Sequence, residues 1–141
     1  MALYRELGRL SQLAYNYHFF IEILIDKGDL VRAQQSLNDF EQMNSQLNDK
    51  ELNLVYLFIK ALVLKTSLRA IKRGKAEKIL KHLLEKEELN YEIRSMVFIN
   101  LCELFLTELR MTNDLEVLEE INPLIARLLD IAENSHSLDS L

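Results

Sequence analysis

Few side chains in this sequence could do acid–base, nucleophilic or metal chemistry, and they are scattered: His18, His82, His136 and Cys102. His18 and Glu22 stand one helical turn apart, a spacing that brings an imidazole and a carboxylate onto one face. A metal site needs three or four donors and this pair offers two, so no metal ligand set follows. His82 lies among lysines near Glu85 and reads as a surface residue. Cys102 stands between Leu101 and Leu104 with no histidine within helical reach to take its proton, and reads as a buried, inert thiol. No glycine-rich phosphate loop is present. With no nucleophile, base and metal set to assemble, the chain is expected to be no enzyme and to carry no cofactor.

Charge says more than any single residue. Residues 60–86 hold nine Lys or Arg against two Glu, a net of +7, whereas residues 87–141 hold three Arg against twelve acidic groups, a net of −9. Residues 1–59 carry −3, which completes the overall −5. Lys65, Arg69, Lys72, Arg73, Lys75 and Lys78, continued by Lys81, form a candidate basic ridge. It is either a solvated helix face or a docking surface for an acidic peptide or for the acidic end of a second copy. A nucleic-acid partner is not expected, because no aromatics interleave the lysines and the chain is acidic overall.

These residues have to be positioned by helices. Hydrophobic residues make up 49% and charged residues 28%, and three Gly with one Pro leave too few turn formers for a β fold. A single cysteine excludes an internal disulfide and suits a reducing compartment. The longest apolar runs, 54–59 and 61–64, are broken by Lys60 and too short to span a bilayer. Met1-Ala2-Leu3-Tyr4-Arg5 lacks the layout of a signal peptide. A soluble cytoplasmic protein with no membrane partner is therefore expected.

Apolar residues recur at three and four spacing and predict six helices in an all-α fold. The first spans about 3–27 and stops at Gly28, and the second spans 29–46. Asn48, three residues before Glu51, is expected to cap the third helix, which would end at Gly74. The fourth covers 75–87, the fifth runs from Asn90 to 111, and the sixth opens at Asn113 with Glu116 and ends near 134. Pro123 is expected to kink this last helix, the alternative being a break with Asn122 as a second cap. One domain of three antiparallel helix pairs results, at about 3–46, 49–88 and 90–134. Residues 135–141 remain as a tail or as the opening of a further repeat.

The segment Lys27-Gly28-Asp29-Leu30-Val31-Arg32-Ala33-Gln34-Gln35-Ser36-Leu37 resembles the turn and second helix of a tetratricopeptide repeat. Ala33 matches the small residue of that helix, and Ile21 stands at the small-residue position of the preceding one. Arg73-Gly74-Lys75-Ala76-Glu77-Lys78-Ile79-Leu80 resembles the same turn with its alanine three residues sooner, and Thr112-Asn113-Asp114-Leu115-Glu116 keeps the turn alone. Gly28, Gly74 and Asn113 are 46 and 39 residues apart, against roughly 34 for a standard unit. Residues 61–129 are also similar to segments of long archaeal and bacterial arrays, whose extended repeats resemble the sensor arms of maltose-type transcriptional activators. The resemblance implies an α-solenoid of about three repeats. It also implies a non-catalytic scaffold that binds a partner protein or peptide in a groove lined by the first helix of each pair. An effector-sensing arm of a larger signalling or transcription protein is the alternative, and a nucleic-acid-binding repeat the lesser one.

Helical spacing independently places Tyr15, His18 and Glu22 on one stripe of the first helix, and Asn53, Lys60 and Ser67 on one stripe of the third. It places Asn100, Glu103 and Thr107 together on the fifth. Glu22, Lys60 and Glu103 would either read a partner's charges or pair with one another. Tyr15 is the aromatic expected to meet a ligand, while most other aromatics are expected in the core. The sixth helix carries an apolar band broader than one packing face needs. Within it Leu118, Ile121, Ile125 and Leu128 are the candidate seam of a homodimer. Internal burial across a bend at Pro123 is the competing reading.

Overall fold

The computed structural model describes residues 2–139, with side chains described over 9–133. Six helices account for the described residues: α1 (Ala2–Asp26), α2 (Leu30–Leu47), α3 (Lys50–Lys65), α4 (Ala70–Leu84), α5 (Tyr91–Thr112) and α6 (Glu116–Asp139). No strand occurs among the described residues. The chain divides into two compact units, Met1–Ile79 and Leu80–Leu141.

The connections show why each helix stops where it does. Gly28, at φ +79°, ends α1. Its N–H donates to the Ile25 carbonyl at 2.9 Å, and the Asp29 N–H donates to Leu24 at 2.8 Å. This is the paired closure of a Schellman motif, with glycine in the left-handed position that a Cβ disfavours. Asp29 then serves the next helix, its carboxylate accepting from Arg32 N–H at 3.3 Å. Asn48 does not cap α3; it ends α2 in the left-handed region at φ 49°. The cap of α3 is Asp49, which accepts from Leu52 N–H at 3.0 Å.

Gly74 is not a turn. It lies inside α4, and α3 stops nine residues earlier, at Lys65. The break belongs to hydroxyls: Thr66 donates to the Val63 carbonyl at 2.6 Å, and Ser67 Oγ accepts from Arg69 N–H at 3.1 Å. Such local bonds offer the backbone an alternative to continuing the helix. Arg73 fastens the connection by donating to the Ser67 carbonyl at 3.1 Å.

In the second unit Asn90 caps α5, accepting from Ile93 N–H at 2.9 Å. The Arg94 guanidinium donates to the Leu84 carbonyl at 3.0 Å and to the Lys86 carbonyl, satisfying acceptors left open where α4 ends. Asn113 closes α5 at φ 57°, and Asp114, rather than Asn113, receives the Glu116 N–H at 3.0 Å to start α6. α6 runs unbroken through Pro123 and on to Asp139, so Asn122 caps no separate helix. Residues 140–141 of the expected tail lie outside the described residues.

α1, α2 and α3 pack on one another and share one core: Ala14, Ile21 and Leu24 from α1, Ala33, Leu37 and Phe40 from α2, and Leu52, Tyr56, Ile59 and Val63 from α3. Phe40 is its aromatic hub, edge-on to Tyr17 at 5.0 Å and stacked with Tyr56 at 5.8 Å. α3 also buries Phe58, Ala61 and Leu62, so it is apolar nearly all round. In the second unit α5 packs on α6. Leu80, Leu83, Leu89, Ile93, Val97, Phe98, Leu101, Leu104, Phe105, Val117 and Ile121 are its buried residues.

Candidate functional site

α1 is apolar on two faces, and this decides which of its residues can meet a partner. Ala14, Ile21 and Leu24 face the core, whereas Phe19 is 60% and Ile23 51% exposed, one turn apart on the opposite side. Tyr15, Phe20 and Leu13 extend that outer surface and are also exposed. Arg32 of α2 lies over the Phe20 ring at 6.0 Å. Tyr15 is therefore exposed as the groove reading requires, but Phe19 and Ile23 are the larger open residues. Helical spacing alone could have found them as a second apolar stripe.

His18 is corrected from groove residue to core residue. It is 7% exposed, with its ring edge-on to Phe58 of α3 at 5.5 Å. Its Nε2 lies 3.1 Å from Glu22 Oε1. The approach is too poorly aimed to make a hydrogen bond, and Nε2 has none among the described residues. Glu22 thus stands beside His18, and half-buried Lys60 takes no part in that contact. Ser67 leaves the α3 stripe altogether, because the helix has already ended, and Asn53 is spent on Asn44, whose Nδ2 donates to it at 3.0 Å.

Asn100, Glu103 and Thr107 belong to α5 of the second unit. Two of them bond their own helix: Asn100 donates to the Met96 carbonyl at 2.7 Å and Thr107 to the Glu103 carbonyl at 3.0 Å. Beside them, burial raises the Cys102 thiol pKa above its usual 9.0, and the Glu103 charge adds to the shift. That is the opposite of what a nucleophile needs.

The basic ridge is displaced along the chain relative to its expected turn. Lys65 and Arg69 flank the α3–α4 connection, and Lys72, Arg73, Lys75 and Lys78 lie within α4. Arg69, Lys72, Lys75 and Lys78 are exposed, while Lys65 and Arg73 are half-buried. Among these cations stand two apolar residues that the charge pattern hid: Leu68 is 88% and Ile71 70% exposed.

α6 resolves into two adjacent apolar faces. Val117 and Ile121 are buried, and Leu124, Leu128 and Ile131 follow them half-buried at four and three spacing. Leu115, Leu118, Ile125 and Leu129 make a separate stripe, 71%, 37%, 42% and 60% exposed. Of the four candidate self-association residues, Leu118 and Ile125 are therefore on the open stripe. Ile121 is removed from the set by burial, and Leu128 lies on the inward face.

No three His, Cys, Asp or Glu converge into a metal-holding group among the described residues. No helix among them is long and apolar enough to cross a membrane. No family model, curated protein or solved structure matches this chain.

Proposed function

We propose that this chain is a non-catalytic protein-interaction module, a scaffold of tetratricopeptide-like helical hairpins that takes an apolar partner segment on the outer face of α1. The observation that carries this reading is the open apolar surface of Phe19 and Ile23, flanked by Tyr15 and Phe20, on the helix face opposite the core. Exposed apolar surface of this kind on a folded helix is characteristic of sites that bury it against another chain. A partner helix with apolar residues at three and four spacing has the complementary form. The hairpin geometry supports the repeat reading: Gly28 closes α1 as a repeat turn would, and Ile21 and Ala33 meet in one core.

The test is selection of a displayed random-peptide library on the full chain, followed by calorimetry with the enriched peptides. Micromolar binding that weakens about tenfold or more in Phe19→Glu and Ile23→Glu supports the reading. Both positions are exposed, so circular dichroism should show unchanged helix content. Absence of enriched peptides, or binding indifferent to both substitutions, overturns it.

A further inference from the structure

Two surfaces outside α1 are complementary in chemistry, and each is left open by the chain that carries it. The first is the start of α4. Ile71, Lys75 and Lys78 follow one another at four and three spacing on one exposed face, and Leu68 stands just before the helix. Arg69 and Lys72 are exposed beside them. The result is an apolar pair in a cationic frame. The second is the open stripe made by Leu115, just before α6, and by Leu118, Ile125 and Leu129 of that helix. Its near edge holds Glu119, Asp130 and Glu133, all exposed. Arg127 is the one basic residue of α6 within 116–133, and its guanidinium lies over the Phe98 ring at 5.0 Å. It therefore leaves the acidic edge without a cation of its own helix.

We propose that the α6 stripe of one copy docks on the Leu68–Ile71 ridge of another, so that the chain self-associates. The apolar residues supply the area, and the lysines meet the carboxylates at its rim. Charge decides the pairing. Two α6 stripes laid on each other would bring six carboxylates of like sign together, and two ridges would do the same with lysines. Only the unlike pair places opposite charges across the contact, so each contact joins the stripe of one copy to the ridge of the other. This inference is independent of the partner read on α1, since it uses none of the same residues.

The experiment is sedimentation velocity on the full chain over a range of concentrations, at low and high salt, with Ile71→Glu and Leu129→Glu. Both residues are exposed, 70% and 60%, so the fold should tolerate the change. The unaltered chain should associate with rising concentration, more strongly at low salt. Each variant alone should lose about tenfold or more in association constant. Mixed one to one, the two variants should form a complex that stops at two chains, because the ridge of the Leu129→Glu variant and the stripe of the Ile71→Glu variant remain intact. A chain that stays monomeric throughout, association that survives either substitution, or a mixture that remains monomeric would each overturn the proposal.

Discussion

Tyr56 sits where two helices of the first unit meet, and folding changes the surroundings of its hydroxyl. Burial, then the charge of Glu41 and its hydrogen bond to the hydroxyl, push the phenol pKa from 10.0 up to about 12. Below pH 10 the phenol is protonated in both states and this contribution is fully present. Between 10 and about 12 the unfolded chain gives up its proton first, so stability falls as pH rises, by about 2–3 kcal/mol across the window. Tyr56→Phe should lose about 1 kcal/mol at neutral pH with the hydrogen bond. It should also lack that part of the alkaline decline. Urea midpoints at pH 9 to 12 make the comparison. A parallel decline in the two proteins would remove Tyr56 as the cause. Cys102 gives a second residue-scale test: with its thiol pKa raised by burial and by Glu103, it should react with a disulfide reagent at pH 8 more slowly than the unfolded chain. Glu103→Gln should recover part of that rate.

At the scale of elements, two glycines that look alike in the sequence have opposite roles. Gly28 holds φ +79°, and a Cβ there would meet no heavy atom within 4 Å, so the cost of substitution is conformational alone. Gly28→Ala is expected to destabilise the chain by about 1–2 kcal/mol. Gly74 lies within α4 with equally open space around a Cβ. Gly74→Ala should therefore stabilise by about 0.5–1 kcal/mol through helix propensity and a less flexible unfolded chain. Chemical denaturation of the two variants decides it, and equal signs would contradict the turn assignments. The same pair shows what was legible beforehand. Gly28 was readable because apolar periodicity stops on both sides of it. Gly74 is no stop at all: α3 ends just before Thr66 and Ser67, whose hydroxyl bonds leave no periodic trace in the sequence.

At the scale of the molecule, the all-helical class and six helices followed from composition and three-to-four spacing, since few residues were available to make anything else. Which face of a helix turns inward did not follow. α1 and α6 are apolar on two sides, so periodicity yields two admissible stripes, and only packing chooses between them. Hence spacing alone admits His18 on an outer stripe and Ile121 at an interface, whereas packing covers His18 with Phe58 and buries Ile121 in the core. The pattern of contacts carries a kinetic consequence. Within the first unit the packed helices are sequence neighbours, α1 with α2 and α2 with α3, plus α1 with α3; within the second, α5 packs on α6. Apart from the α1–α3 contact, which closes across α2, each core therefore forms by closing short connections, the cheapest contacts in chain entropy. Refolding should be complete within milliseconds, as for helical proteins of low contact order. Tryptophan is absent, so stopped-flow far-UV circular dichroism is the suitable probe. Recovery of the ellipticity within the dead time or a few milliseconds agrees with local assembly. A dominant phase of seconds, independent of concentration, would mean that docking of distant elements limits folding. In that event the short-range packing of these helices would not be what organises the chain.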